Sequence, residues 1–337
     1  MTLPQFTSDL SDVLEKELTV IVTSRDVPLY DMMAYHMGWQ SAPGVDDSPI
    51  SQQRTRGVLC LLACRAFGGD YSSAIPAAAA VELVHSFTEV HDDVQGGLPQ
   101  RDGRDALWWV WGPAQAINAG DGLHALARLA LFQLLDRGAS PGLVFRAVQL
   151  MDKTSLEVCE GRFMDLEAQE RIDLSVESYI KMARSKTGAL LACAMQLGAL
   201  IGGGDEGAVE SLGKCGYELG LAVQIREDLV ALWGDGSEEY VPSTEVMNKK
   251  KLYPAVYALE NAKVSDKRRM GDIYFKRVLE PDDVLALRNV LNEMGARDAT
   301  EQALRQHADE ALSALEASPI GPEGKGPLAE TINSLLG

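Results

Sequence analysis

The sequence is short of positive charge and of aromatic residues. Lys and Arg total 31 against 49 Asp and Glu, which gives a net charge of −18 at pH 7. Because so acidic a surface repels phosphate backbones and anionic lipids, we expect neither nucleic-acid binding nor charge-driven membrane binding. An anionic small substrate remains possible where Arg, Lys or metal ions gather locally. Although aromatic residues make up only 6% of the chain, the hydrophobic content of 46% excludes a disordered protein.

Paired cysteines, long apolar runs and a leader pattern are also missing. The five cysteines show no CxxC spacing and their number is odd, which favours a reduced protein of the cytoplasm. The longest apolar stretch runs from Gly188 to Ile201, and Gln196 interrupts it before it could span a membrane. The first residues lack the basic and apolar regions of a signal peptide. We therefore expect a soluble cytoplasmic protein without a transmembrane segment.

Apolar residues recur with the helical period in nearly every long segment. In Ala77–His91 they follow the i, i+3, i+4 spacing of one helix face. The same pattern occurs over residues 113–136, 140–168, 176–202, 207–233 and 299–317. No segment shows convincing strand alternation or an internal repeat. Because long helices that are apolar around much of their circumference pack in the centre of a bundle, we predict an all-α fold, a single large helical bundle over residues 1–337.

Two adjacent carboxylates, Asp92 and Asp93, end the apolar helix of residues 77–91. Carboxylates at the end of a core helix are costly unless something cationic meets them. One interpretation is a solvated helix end with a turn at Gly96 and Gly97. The other is a magnesium site, since Mg²⁺ takes carboxylate oxygens and leaves water positions for substrate phosphates.

A second polar group lies within another apolar helix. Gln224, Glu227 and Asp228 are spaced i, i+3 and i+4 and so share one helix face. A facing carboxylate helix that shares metal ions would supply partners for them. Lys186 interrupts the apolar helix of residues 176–202 in the same way; it either extends to the surface or belongs to the same site.

These blocks together resemble the trans-isoprenyl diphosphate synthase (polyprenyl synthetase) family. The resemblance covers roughly residues 28–317. It implies the isoprenoid-synthase fold, in which two aspartate-rich motifs face each other across a cavity and three Mg²⁺ ions hold an allylic isoprenyl diphosphate. The matching blocks are Arg54-Thr55-Arg56, His91-Asp92-Asp93, Arg101 with Gly103, Gln115 to Asp121, Lys186-Thr187, Gln224 with Glu227-Asp228, and Lys250.

The resemblance also implies roles for individual residues and a partner. A homodimer is expected, with Trp108, Trp109 and Trp111 close to its apolar helices; a partner subunit of a heteromeric prenyl synthase is possible. The expected metal ligands are Asp92, Asp93, Glu227 and Asp228. The expected catalytic residues are Asp92, Asp93, Lys186 and Asp228. The expected diphosphate-binding residues are Arg56, Arg101, Lys186, Gln224 and Lys250.

Both aspartate-rich motifs depart from the family pattern DDxxD. The first ends at Gly96 and the second at Ala231, so each lacks its last carboxylate, and Glu227 replaces the first aspartate of the second motif. A GQ pair of the family reads Gly161-Arg162 here.

The positions that bind isopentenyl diphosphate in the family are altered as well. The pattern GKRxRP reads Gln52 to Gly57 and lacks its lysine, and Asp102 replaces the second of two arginines. A carboxylate beside a diphosphate opposes its binding.

This one-sided loss makes a terpene synthase (cyclase), or a prenyltransferase that does not use isopentenyl diphosphate, the leading interpretation. Such an enzyme would ionise a C15 or C20 allylic diphosphate. One alternative is an ordinary chain-elongating farnesyl or geranylgeranyl diphosphate synthase. Another is a non-catalytic subunit of a heteromeric prenyl diphosphate synthase.

The helix before the first motif also predicts substrate length. Phe87 and Thr88 precede Asp92 by five and four residues, and residues four apart share a helix face. A phenyl ring that points into the cavity would block long chains. The alternative is that Phe87 is ordinary core packing, as buried aromatic residues usually are.

Overall fold

The computed structural model describes residues 3–43, 52–234 and 243–337, and within them helices dominate. This confirms the predicted all-α fold. The strands in these ranges are β1 (Gln100–Arg101) and β2 (Arg104–Asp105), which pair antiparallel around a short turn. The sequence did not predict them because two-residue strands carry no alternating pattern.

In the first half of the chain, the described residues form seven helices, together with single 3₁₀ turns at Gln5–Thr7 and Tyr71–Ala74. The helices are α1 (Ser8–Val22), α2 (Pro28–His36), α3 (Thr55–Ala66), α4 (Ile75–Gly96), α5 (Leu107–Trp111), α6 (Pro113–Phe132) and α7 (Pro141–Gln169).

Nine helices follow within the described ranges of the second half, and a π-helical turn (Arg184–Gly188) joins the first two of them. The helices are α8 (Val176–Ala183), α9 (Ala189–Ile201), α10 (Glu206–Trp233), α11 (Thr244–Met247), α12 (Tyr253–Asn261), α13 (Val264–Tyr274), α14 (Pro281–Glu293), α15 (Ala296–Ala317) and α16 (Pro322–Leu336).

The helix bounds agree closely with the apolar periodicity. Helices α7 and α10 begin and end within one residue of the predicted ranges, while α6 ends at Phe132, four residues early. The predicted helix over residues 176–202 is divided by the π turn. Helix α9 ends at Ile201, directly before Gly202, and α10 ends at Trp233, directly before Gly234.

Helix α10 connects the buried clusters of the protein. Leu219 lies in the main core with α3, α4, α6 and α9, Leu232 lies in a second cluster with α12 to α14, and Ile225 lies in a third with α8. Each fully buried leucine of this kind contributes roughly 2 kcal/mol. The extent of the domain, residues 1–337, remains a prediction.

Two glycines allow close helix packing around the π turn. A Cβ atom on Gly161 of α7 would lie 2.3 Å from the backbone nitrogen of Lys186, and one on Gly220 of α10 would lie 2.3 Å from Cα of Gly188. A larger residue at either position would push the helices apart. The π turn is therefore held against both α7 and α10, and this contact places Lys186 and Thr187 at the site described next.

None of the described helices combines the length and the apolar composition that crossing a membrane requires.

Candidate active site

A cavity of about 670 Å³ opens between α3, α4, α7, the π turn and α10. Its polar part lies near the C-terminal end of α4, and its apolar wall includes Phe87, Val158, Leu191 and Val223. The predicted residues Arg56, Phe87, Thr88, Asp92, Arg101, Lys186, Gln224, Glu227 and Lys250 all line it. The structure therefore brings together most of the residues that the sequence singled out.

The two carboxylates of the first motif point in different directions. Gly97, in the left-handed conformation with φ of 59°, ends α4 just after them. Asp92 lines the cavity and its side chain is 25% exposed, whereas Asp93 is 2% exposed and is absent from the cavity wall. Consecutive helix residues project about 100° apart, so one of two neighbours faces the cavity and the other faces the protein.

Asp93 and Arg101 form a buried ion pair. Both oxygens of Asp93 accept hydrogen bonds from Arg101, the shortest at 2.7 Å from Nη2, and Nη1 of Arg101 donates to Glu89 at 2.9 Å. Burial raises the pKa of Asp93, and Arg101 opposes that rise. Arg101 was expected to bind diphosphate; it does line the cavity, but its guanidinium holds two carboxylates in place.

Arg162, whose position departs from the family pattern, faces Asp92. Nε of Arg162 lies 2.8 Å from Oδ1 of Asp92, and its Nη1 lies 2.9 Å from Oδ2 of Asp165, one turn further along α7. The Arg162 side chain is 13% exposed and lines the cavity. It was missed as a site residue because its position matches a glutamine in the family pattern.

Asp165 is a buried carboxylate beside three cations, Arg162, Lys186 and Lys250, which together form the cationic wall of the cavity. Its Oδ2 accepts a hydrogen bond from Nζ of Lys186 at 2.7 Å as well as the bond from Arg162. Burial acts to raise the pKa of Asp165, but the charges of Lys186 and Lys250 outweigh it and lower the pKa to about 2. No motif in the sequence marked Asp165. It follows Gly161 by four residues and so shares the face of α7 that packs against the π turn; that spacing was the one indication of its place.

Lys250 is the third cation of this wall, and it is buried. It is 8% exposed, and its ammonium group donates to a carboxylate oxygen of Glu245 in α11. Burial acts to lower the pKa of Lys250, but Glu245, Asp165 and Asp228 raise it above its usual value. Lys250 is therefore a fixed positive charge at the cavity.

In the second motif too, one carboxylate is buried and the other faces the cavity. Asp228 is 2% exposed; its Oδ2 accepts from the hydroxyl of Tyr179 at 2.6 Å and from the backbone nitrogen of Tyr253 at 2.7 Å. Its Oδ1 accepts from Nε2 of Gln224 at 3.1 Å. Burial raises the pKa of Asp228 to about 6.

Glu227 and Gln224 face the cavity from α10. Oε1 of Gln224 accepts from the hydroxyl of Thr187 at 2.6 Å, which connects α10 to the π turn. The Glu227 side chain is open to the cavity but enclosed by the surrounding helices, and this enclosure raises its pKa. Within the described part of the chain, no ion pair or hydrogen bond engages the Glu227 carboxylate.

Arg56 presents an unpaired donor to the cavity from α3, and its charge acts on Glu227. Its neighbour Arg54 is 3% exposed and is held by Glu15 at 2.8 Å, so that arginine is structural. Arg56 lines the cavity, and its Nε is buried without a hydrogen-bond partner among the described residues. A buried donor without an acceptor is costly and favours an anionic ligand there.

Phe87 and Thr88 both lie in the cavity wall. The Phe87 ring packs edge-on against His91 at 4.8 Å and lies 5.0 Å from the ring of His124 in α6. The hydroxyl of Thr88 donates to the backbone oxygen of His85 at 2.6 Å. The phenyl ring thus forms part of the cavity surface and also contacts the neighbouring helix.

The full chain resembles known proteins in sequence and in structure. Residues 50–292 match the family model described as polyprenyl synthetase. The chain belongs to the polyprenyl synthetase family. As a member, it is an isoprenoid synthase of the prenyltransferase type, with the isoprenoid-synthase fold that the motifs implied.

Individual relatives extend the similarity over most of the chain. A geranylgeranyl diphosphate synthase of Mycobacterium tuberculosis is 33% identical over 304 residues, covering 90% of this chain and 85% of that protein. A (2E,6E)-farnesyl diphosphate synthase of Mycobacterium bovis is 29% identical over 294 residues, covering 85% and 80%. The crystal structure of a polyprenyl synthetase from Streptomyces coelicolor A3(2) superposes with a TM-score of 0.89 at 32% identity, over 98% of both chains.

The carboxylates described here do not fit three divalent ions. Asp93 and Asp228 already accept hydrogen bonds on both oxygens. Asp92 faces a guanidinium, and Glu227 alone among the four predicted ligands has a carboxylate open to the cavity and without a partner in the described ranges. Asp92 and Glu227 therefore remain the residues at which Mg²⁺ could bind.

Proposed function

We propose that the protein is a chain-elongating prenyl diphosphate synthase, which joins an allylic isoprenyl diphosphate to isopentenyl diphosphate. The named relatives are synthases of geranylgeranyl and farnesyl diphosphate, and the similarity covers most of each chain. They support the alternative of elongation rather than the cyclase interpretation that the altered motifs favoured first. We likewise propose an allylic substrate in the size range that leads to C15 or C20 products.

The observation that carries this proposal is a set of cations that line one cavity from separate elements. Lys186 lies in the π turn, Lys250 follows α11, and Arg56 lines the cavity from α3 with an Nε that has no hydrogen-bond partner among the described residues. All three charges act on Glu227. Several fixed cations around one cavity suit the binding of two diphosphates, and arginine is well shaped for phosphate oxygens.

The exposure of Asp102 removes the main objection to isopentenyl diphosphate. Asp102 lies in the turn between β1 and β2, with φ of 50°, and is exposed at the rim of the cavity. A solvated carboxylate is screened and repels an anion weakly. The charge reversal that the sequence suggested is therefore compatible with a second diphosphate at Arg56.

The chemistry divides between the two ends of the cavity. Lys186, Lys250 and Arg162 bind the allylic diphosphate and stabilise its charge as the C–O bond breaks. The apolar wall around Phe87 and Leu191 holds the prenyl chain and excludes water from the allylic cation. The isopentenyl double bond then attacks that cation and a proton leaves. Mg²⁺, when bound by Asp92 and Glu227, would supply further positive charge to the departing diphosphate.

A steady-state assay with the two substrates tests this proposal. Farnesyl or geranyl diphosphate should release pyrophosphate in the presence of Mg²⁺ only when isopentenyl diphosphate is also present. Arg56→Gln should raise the KM for isopentenyl diphosphate about tenfold and change the KM for the allylic substrate little, while Arg128→Gln, at an exposed ion pair with Asp152, should change neither. A hydrocarbon or alcohol formed without isopentenyl diphosphate would support cyclisation, and inactivity would support a subunit role.

We also propose a homodimer and a cytoplasmic location. Helices α6 and α7 expose large apolar side chains outside the cavity, among them Leu129 at 55%, Phe145 at 69% and Leu156 at 67% exposure, which suits a subunit interface. Of the predicted tryptophans, Trp109 is 59% exposed, while Trp111 packs edge-on against Tyr35. All five cysteines are free, as expected in a reducing compartment. Sedimentation that gives a monomer at micromolar concentration would contradict the dimer.

A further inference from the structure

Arg162 is held by four contacts at the first motif. Its Nε lies 2.8 Å from Oδ1 of Asp92 and donates to Oε1 of Gln95 at 2.9 Å. Its Nη1 bonds to Asp165 at 2.9 Å, and its Nη2 bonds to the backbone oxygen of Asp92 at 3.3 Å. The guanidinium therefore has one fixed position beside the only carboxylate of this motif that lines the cavity in the described structure.

The carboxylate that the first motif lacks, at position 96, would lie next to the Arg162 guanidinium. Gly96 follows Asp92 by four residues, so the two positions share a face of α4. A Cβ atom built on Gly96 would lie 3.7 Å from Nη2 of Arg162. A carboxylate at position 96 would thus meet the guanidinium directly. Compared with the family pattern, the acid is lost at position 96 and a cation is gained at position 162, and these two positions are in contact.

A divalent ion at Asp92 would compete with this fixed charge. The Arg162 guanidinium is within ion-pair distance of Asp92, and Nζ of Lys186 shares Asp165 with it. Like charges so close repel strongly in a partly buried site. At the same time, guanidinium groups bind phosphate oxygens with directed hydrogen bonds, so Arg162 can meet an anion that enters the cavity.

We propose that the Arg162 guanidinium is a built-in counter-ion that takes the place of one divalent ion at the first motif, so that a bound diphosphate is neutralised by fewer metal ions. This inference rests on the proposed function only in assuming that the cavity binds a diphosphate. It concerns the charge that meets the diphosphate and not the identity of the product.

Titration with Mn²⁺ and inorganic pyrophosphate tests the proposal without turnover. Bound Mn²⁺ is counted by electron paramagnetic resonance, and pyrophosphate binding is measured by calorimetry with and without metal. Arg162→Gln should tighten Mn²⁺ binding at least tenfold and weaken metal-free pyrophosphate binding at least tenfold. The double variant Arg162→Gln with Gly96→Asp should bind one more Mn²⁺ per chain than the wild type.

Two further variants separate charge from packing. Arg162→Lys keeps the positive charge and should keep Mn²⁺ binding as weak as in the wild type, and Arg128→Gln should behave as the wild type in both titrations. Because the two affinities of Arg162→Gln are expected to move in opposite directions, partial unfolding cannot imitate the result; thermal melting checks the fold of each variant.

Other outcomes would overturn the proposal. Equal Mn²⁺ and pyrophosphate affinities in wild type and Arg162→Gln would do so, as would three Mn²⁺ ions bound by the wild type with pyrophosphate. If either is found while isopentenyl diphosphate is still consumed, the inference fails and the proposed function stands. If the opposite shifts are found but no prenyl product forms, the inference stands and the proposed function fails.

Discussion

The two acidic motifs have the same layout but differ in the partners of their carboxylates. In each, the second residue is buried and the first faces the cavity. The buried Asp93 is held by a cation, Arg101, whereas the buried Asp228 is held by the neutral donors of Tyr179, Tyr253 and Gln224. The cavity-facing Asp92 is paired with Arg162, whereas Glu227 has no such partner in the described ranges.

This difference shows that similar sequence motifs can carry different net charge in the folded protein. The first motif is balanced by its own arginines, so it presents little free negative charge to the cavity. The second leaves the Glu227 carboxylate without an ion-pair partner in the described ranges, although the charges of Arg56, Lys250 and Lys186 act on it across the cavity. Variants in the two motifs should therefore behave differently.

The largest effect is expected from removing the buried acid of the first motif. Asp93→Ala leaves Arg101 without its main partner and should lower the free energy of unfolding by about 3 kcal/mol. Asp228→Asn keeps an oxygen for Tyr179 and Tyr253 but turns an amide donor toward Nε2 of Gln224, so it should cost about 1 kcal/mol at pH 7. Urea denaturation of both variants checks this, with the Asp93→Ala/Arg101→Ala pair as a double-mutant cycle; equal losses would contradict the distinction.

The next effect concerns activity. Glu227→Gln should lower kcat/KM about 100-fold, because it removes the carboxylate that is most open to Mg²⁺. Asp92→Asn should lower it only about tenfold, because the Asp92 carboxylate is already paired with Arg162. In an Arg162→Gln background, where Asp92 is free, the cost of Asp92→Asn should rise toward about 100-fold. Steady-state kinetics with both substrates measures all four variants. The same cost for Asp92→Asn in both backgrounds would show that Arg162 does not balance it.

The helices were predictable from the sequence, but the division of the acidic motifs was not. Apolar periodicity gave α7 and α10 almost to the residue because their buried faces are long and regular. The π turn at Arg184–Gly188 was hidden from the sequence. Nearly every residue of α9 after it is buried, so the change of helix face at the turn leaves the apolar pattern unbroken.

The pairing within the site also lay beyond the sequence. Which of Asp92 and Asp93 faces the cavity depends on the rotation of α4 against its neighbours, which no local pattern records. The contact of Arg162 with Asp92 joins residues 70 positions apart, and the anchoring of Lys186 by Asp165 depends on the close approach at Gly161. Motif matching therefore found the residues and missed the ion pairs that set their charge.

A pH-dependent effect is expected at the anchor of the cationic wall. The pKa of Asp165 is about 2 in the folded protein, below its ordinary value of 3.8, so its ionised form stabilises the fold above pH 4. That contribution, about 2 kcal/mol, is lost as the pH falls from 4 to 2. Asp165→Asn should lack it, so the stability difference between wild type and variant should shrink over this range in urea titrations. Asp173→Asn, at an exposed ion pair with Arg171, is the control. A difference that stays constant from pH 5 to pH 2 would contradict the assignment.

The smallest effect is expected at the apolar wall. Phe87→Ala should lengthen the cavity and shift the preferred allylic substrate or the product upward by about one isoprene unit, at some cost in stability because a partly buried ring is removed. Phe87→Leu, which fills most of the space, should keep the wild-type profile. Product chromatography decides; an unchanged profile in a folded Phe87→Ala protein would make Phe87 a packing residue only.

Isotope incorporation shows whether this cationic cavity supports chain elongation. Purified protein is incubated with Mg²⁺, unlabelled farnesyl diphosphate and ¹⁴C-labelled isopentenyl diphosphate, and the products are separated by chain length. We predict a labelled prenyl diphosphate at least one five-carbon unit longer than the allylic substrate. An unlabelled hydrocarbon or alcohol, formed equally well when isopentenyl diphosphate is omitted, would contradict the account.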